Sequence, residues 1–218
     1  MNVEAFIGEF RRVMADTAVP YLWSDEEVVT YLNDAVKEAC ERALLIEDRV
    51  TTAVCSVALV ANQADYSLHE SVIQIKRLTF RGRALSETSV EQLDHDDVQW
   101  EGRTGEPRQY IQGESTGLRL VPAPRIAGTV SLTVYRLPLE ALSADNENGT
   151  PEIPARHHMR LLPWLYRCAY LKHDSETYNR EKAELHEMIF QGSFGIRPDA
   201  NVMRKQRDRA PNLVQMHW

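Results

Sequence analysis

Residues 24–45 read SDEEVVTYLNDAVKEACERALL, and this stretch decides what kind of fold the chain can build. Ser24 followed by Glu27 is a capping-box pattern, and Asp25 and Glu26 put negative charge in the first turn, where the helix dipole favours it. Val28, Leu32, Ala35, Ala39 and Ala43 then recur at helical spacing as one apolar stripe. Three of these five are alanine, so another helix can approach closely. A helix with one such stripe cannot bury it alone and requires partners elsewhere in the chain.

Upstream, Val3, Phe6, Ile7, Phe10 and Val13 predict a second amphipathic helix, with Glu4, Glu9, Arg11 and Arg12 on its other faces and Pro20 closing the segment. Trp23 stands just before the cap, where a hydrophobic staple against Val28 is the simplest role. Downstream the pattern turns to strands from about residue 51 to 136. Residues 54–60 are small and β-branched, 62–65 read as a turn and 66–68 as a short return strand. Ile73 and Ile75 face one side, and after Arg77 the apolar parity moves to Leu78 and Phe80, which predicts a bulge. Arg81-Gly82-Arg83 reads as a hairpin turn and Ser89 as the cap of a short helical turn. Residues 110–112, 118–121 and 129–135 are further strands; in the last, Val130, Leu132 and Val134 alternate with Ser131 and Thr133.

A polar linker at residues 145–154 leads to a third helix with Met159, Leu162, Leu165, Tyr166 and Ala169. Pro163 either kinks that helix or marks its true start. After a break near Asp174 and Ser175, a fourth helix carries Tyr178, Leu185, Met188 and Ile189, ended by Gly192 and Gly195. The expected class is α+β: a four-helix bundle interrupted by a β-rich insertion domain, with an extended C-terminal tail. The expected boundaries are 1–50 for the first half of the bundle, 51–137 for the insertion, 138–195 for the linker and second half, and 196–218 for the arm.

No catalytic chemistry stands out. The three cysteines, Cys40, Cys55 and Cys168, are odd in number and show no CxxC spacing, which argues against a disulfide framework or a zinc site and for a reducing cytoplasm. His157 and His158 are adjacent and diverge on a helix, and no HExxH occurs. Asp94-His95-Asp96-Asp97 lacks the alternation and central glycine of a calcium loop. Residues 113–117, GESTG, match G-x-S-x-G in part but lie between short strands, where they read as a hairpin loop around Ser115. No phosphate-binding glycine loop appears, and no cofactor is expected. Trp164 reads as core and Trp100 stays undecided on a loop. The first residues do not read as a signal peptide, and no apolar run is long enough to span a bilayer, so no membrane insertion is expected.

Charge is uneven. The 218-residue chain carries −7, yet from Arg197 onward five basic residues face only Asp199 and Asp208, leaving +3 on the tail and −10 on the rest. An acidic protein is a poor candidate for tight sequence-independent DNA binding. A basic tail on an acidic body points to a separate partner surface. Its candidate partner-binding residues are Arg197, Arg204, Lys205, Arg207, Arg209, Leu213, Val214, Met216 and Trp218. Trp218 is the strongest anchor, because tryptophan is enriched at interface hot spots. With its periodicity lost, the tail is expected to be extended and disordered until it meets a partner.

Three blocks carry a resemblance: Trp23-Ser-Asp-Glu-Glu with Tyr31-Leu-Asn-Asp-Ala35, then Leu118-Arg-Leu-Val-Pro-Ala-Pro124, then Pro151-Glu-Ile-Pro154 leading into a Tyr- and Ala-bearing helix. In this order, over about residues 20–190, the chain resembles the head-to-tail adaptor proteins of podoviruses, the gatekeeper-type or tail tubular A-like connectors. The resemblance implies a structural virion protein and no enzyme. It implies a homo-oligomeric ring of twelve subunits joining the portal protein to the tail nozzle protein, extending the channel for passing DNA. It also implies a C-terminal tail reaching the portal, and assembly in the host cytoplasm before residence in the virion. Two competing readings are a β-domain module binding a peptide or other ligand, and a cell-wall hydrolase. The hydrolase would need two carboxylates with separated pKa values, which the sequence does not single out.

Overall fold

The computed structural model describes residues 1–113, 117–173 and 177–199. The chain opens with α1 (Val3–Met14) and α2 (Asp25–Ala43), then β1 (Ile46–Asp48), a single turn α3 (Thr52–Cys55), β2 (Ser56–Leu59), β3 (Asp65–Ser67), β4 (Val72–Phe80) and β5 (Arg83–Glu87). α4 (Val90–Asp96) and a 3-10 turn at Trp100–Gly102 precede β6 (Thr104–Gly105), β7 (Gln109–Gln112), β8 (Gly117–Val121), β9 (Ala123–Pro124) and β10 (Gly128–Arg136). A 3-10 segment, Ala155–Leu161, runs into α5 (Leu162–Leu171), and α6 (Arg180–Phe194) follows. Two units divide these elements: Met1–Ile46 with Arg136–Arg197, and a second built on Glu47–Tyr135.

In the helical unit, the caps act as the sequence requires. Ser24 accepts the Glu27 N–H at 3.2 Å, and Asn2 and Asn179 cap α1 and α6 in the same way. α2 buries Val28, Leu32, Ala35 and Ala39, and also Val29, Val36 and Cys40. α5 packs against α1, α2 and α6, which explains why it is apolar on several sides. Pro163 lies in its first turn, so the proline marks a start and not a kink. Trp23 is buried edge-on against Phe10, with ring centroids 5.4 Å apart. Trp164 is buried and donates its indole N–H to Asp34 at 2.7 Å.

The β unit carries a core of its own, including Ile75, Leu78, Phe80, Tyr110, Leu118, Leu120, Val130, Leu132 and Val134. Its main sheet runs β1-β10-β4-β5-β7-β8-β3, with β2 also paired to β10. β4 and β5 form the expected hairpin, Phe80 opposite Arg83, and Arg81 and Gly82 both adopt positive φ (50° and 79°) in the turn. β5 and β7 are parallel, which demands a crossover, and the Ser89-capped α4 supplies it. Ahead of the stretch of β4 that pairs with β5, the buried Gln112 side chain takes the place of a strand. It accepts the Ile75 N–H at 2.8 Å and donates to the Ile73 carbonyl at 3.1 Å. Trp100 is buried in a small cluster with Leu93 and Val121, and its indole N–H binds Asp94 at 2.8 Å.

The expected fold class is corrected. The protein is mixed α+β, with six helices among the described residues and a curled half-barrel of sheet; it is not a four-helix bundle. Two amphipathic helix pairs must cover their stripes, and a bundle is the simplest way to do so. The structure covers them by gathering α1, α2 and α6 around α5, while α6 keeps its second apolar stripe in water. The strands of the β unit build a core of their own.

Candidate functional site

The best-built polar arrangement lies where α2, α5 and the end of α6 meet. Arg42 of α2 has only 2% of its side chain exposed. Its Nε donates to Glu38 Oε1 at 2.8 Å, Nη2 to Glu187 Oε1 at 2.9 Å, and Nη1 to the Gly195 carbonyl at 3.3 Å. The guanidinium also lies 5.3 Å from the Trp164 ring and 5.0 Å from that of Phe190. Arg167 of α5 reaches Glu187 at 2.8 Å. Helix spacing brings Glu38 and Arg42 onto one face, and burial turns an ordinary i,i+4 pair into a fixed joint.

Arg197 lies at the edge of this joint. Its side chain is 67% exposed and sits 3.5 Å from Glu38 and 3.8 Å from Glu41, a loose solvent-side ion pair with α2. Glu41 is held above the ordinary carboxylate pKa, chiefly by burial and then by the charge of Glu38; Arg197 acts the other way. Of the residues expected to bind a partner, Arg197 alone is among those the structure describes. Arg204, Lys205, Arg207, Arg209, Leu213, Val214, Met216 and Trp218 lie outside the described residues, as does Ser115. The i,i+4 pairing of Glu38 and Arg42 was readable in the sequence, but its burial and its link to Arg197 were not.

A second ionic joint holds the connection between α1 and α2. The buried Arg11 binds Asp16 at 2.8 Å, the Trp23 carbonyl at 3.0 Å and Asp25 at 2.6 Å, and lies 3.5 Å from the centroid of Tyr21. Asp16 in turn accepts the N–H groups of Leu22 and Trp23 at 2.9 and 3.3 Å. Val19, Tyr21 and Leu22 are nonetheless exposed. On α6 the buried residues are Ala183, Phe190 and Phe194. The residues expected to be its core stripe, Leu185, Met188 and Ile189, are exposed, as is Tyr178.

The thiols offer little reactivity: burial pushes Cys40 up to about 12 and Cys168 up to about 11. His158 is buried, with one ring nitrogen 3.0 Å from the Ile153 carbonyl. Among the described residues no group of three or more His, Cys, Asp or Glu side chains is placed to hold a metal, and no helix is long and apolar enough to cross a membrane.

A buried ionic joint thus holds the 16–25 connection, and apolar side chains stand in water on that connection and on α6. The chain belongs to the SU10 adaptor protein family, a family of phage head-to-tail adaptors, whose profile matches residues 1–215. It is a structural adaptor of the phage virion. No curated protein matches its sequence.

Proposed function

We propose that this adaptor forms a closed ring of twelve subunits between the portal and the tail nozzle, and that the ring extends the channel through which DNA passes. The observation that carries this reading is the family match over residues 1–215. Assembly takes place in the host cytoplasm. Residues 197–218 form the portal-docking segment: Arg197, Arg204, Lys205, Arg207 and Arg209 steer it to an acidic surface, and Leu213, Val214, Met216 and Trp218 anchor it. The exposure of the Arg197 side chain supports this role, because its charge is open to a partner where the segment begins.

The test is deletion of residues 197–218, with portal binding measured at one salt concentration and rings viewed by negative stain. The truncated protein keeps its circular dichroism spectrum and binds portal more weakly. Equal binding by both proteins rejects the docking segment, and absence of closed rings on portal with the full chain rejects the ring.

A further inference from the structure

Resting on that ring reading, we propose that the outer stripe of α6 is the seam between neighbouring copies of this chain, and that it receives the 17–22 loop of the next copy. Leu185, Met188 and Ile189 stand at i, i+3 and i+4, exposed to 50%, 61% and 46%. Gly192 continues the row at i+7, and an added Cβ there meets nothing within 4 Å. The row is therefore three apolar side chains followed by an exposed position with no side chain. The opposite face of the same helix already uses Ala183, Phe190 and Phe194 for the core, so this stripe is surplus to folding.

The loop has matching chemistry. Val19, Tyr21 and Leu22 are exposed, yet Asp16 and Arg11 hold the backbone at Leu22 and Trp23 and the ring of Tyr21. A loop fixed before contact loses little conformational freedom on binding. A ring also needs two different patches per subunit, because only head-to-tail contacts repeat around it. The exposed large apolar residues of the helical unit fall mainly into two groups along the chain, one at residues 13–22 and one at 178–196.

Size sets the strength of the seam. Each patch offers about three large apolar side chains, against the roughly 20–30 residues a side of a standard interface. A stable pair of proteins buries about 800 Å² on each side. One such contact cannot hold a dimer of free subunits. Copies seated side by side on a template raise one another's effective concentration, and the contact then closes.

The experiment places a photo-crosslinking amino acid at position 188 and assembles equal amounts of light and 15N-labelled chain on purified portal. The expected adduct joins position 188 of one copy to a peptide covering residues 13–22 of another. An adduct between two α6 helices, adducts to portal alone, or rings without inter-copy adducts overturn the seam. Failure to form any ring overturns the ring reading and the seam together. As a second readout, Met188→Glu with Ile189→Glu lowers ring yield by about tenfold or more with an unchanged melting curve. The exposed Met159→Glu leaves ring yield as it was; an equal loss with Met159→Glu overturns the assignment.

Discussion

Arg42 has its guanidinium almost wholly out of water, so its neighbours are what make its charge tolerable. Replacing it with methionine keeps the stem but strands Glu38, whose side chain is only 6% exposed, beside Glu187. The expected loss is about 3–5 kcal/mol in urea unfolding. Arg42→Met combined with Glu38→Gln should cost clearly less than the two single changes added together, because no buried charge is left alone. Additive losses would show that the pair is not coupled. His186 gives a pH signature in the same unit. It stacks on Tyr170 and tilts against Tyr166, and burial, then the charge of Lys182, holds its pKa below the ordinary 6.5. The folded state therefore binds this proton less readily than the unfolded chain, and stability falls as pH drops below about 6.5. His186→Gln should flatten the decline in melting temperature between about pH 7.5 and 5.5 relative to the parent. An identical slope in the variant would place the acid sensitivity elsewhere.

α6 shows where periodicity stops being informative. Its sequence holds two apolar rows, and the row with more conventional core residues, Leu185, Met188 and Ile189, reads as the buried one. Ala183, Phe190 and Phe194 are buried instead, because α5 offers aromatic surface to that side: Phe190 lies 4.9 Å from the Trp164 ring centroid. Only the partner's surface decides between the rows, and a single sequence does not contain it. Phe190→Ala should cost about 3–5 kcal/mol, whereas Met188→Ala should change the stability of the free protein by about 0.5 kcal/mol or less. Chemical denaturation of the two variants checks this, and equal losses would mean that both rows are packed. Other elements were legible because their signals are local. Caps at Ser24 and Ser89, the Arg81-Gly82 turn and the alternation along β10 need no distant partner to take effect. The composition of residues 54–60 suits a strand throughout, yet Thr52–Cys55 form a helical turn before β2, since small and β-branched residues alone do not fix where a strand begins.

At the scale of the molecule, the order helix, sheet, helix was legible, while the weight given to each was not. A strand-rich stretch shows its alternation but not whether its inward faces meet, so the second core was missed. Charge asymmetry points to the five basic tail residues together, and nothing local reveals that Arg197 lies near Glu38 and Glu41. Two outcomes follow for the assembly. Free protein should sediment as a monomer or weak oligomer and close into a ring only on portal; a stable ring of another symmetry on isolated portal contradicts this. The bore of that ring should be acidic or mixed, since dense Lys and Arg would hold phosphates and slow DNA. A reconstruction showing a bore dominated by those two residue types would reject the expectation. The division of the chain also sets an order of events during synthesis. Glu47–Tyr135 is continuous in sequence, whereas the helical unit is split around it, and Trp164 meets Asp34 from 130 residues away. On a ribosome stalled at residue 135, a protease should therefore spare the β unit and digest residues 1–46; protection of both would reverse that order. Phe6, Phe10 and Leu32 leave the ribosome early, and α5, which packs against both of their helices, emerges much later. For that interval the nascent chain is half native and half adhesive, and a cell making many copies at once must keep those first helices apart.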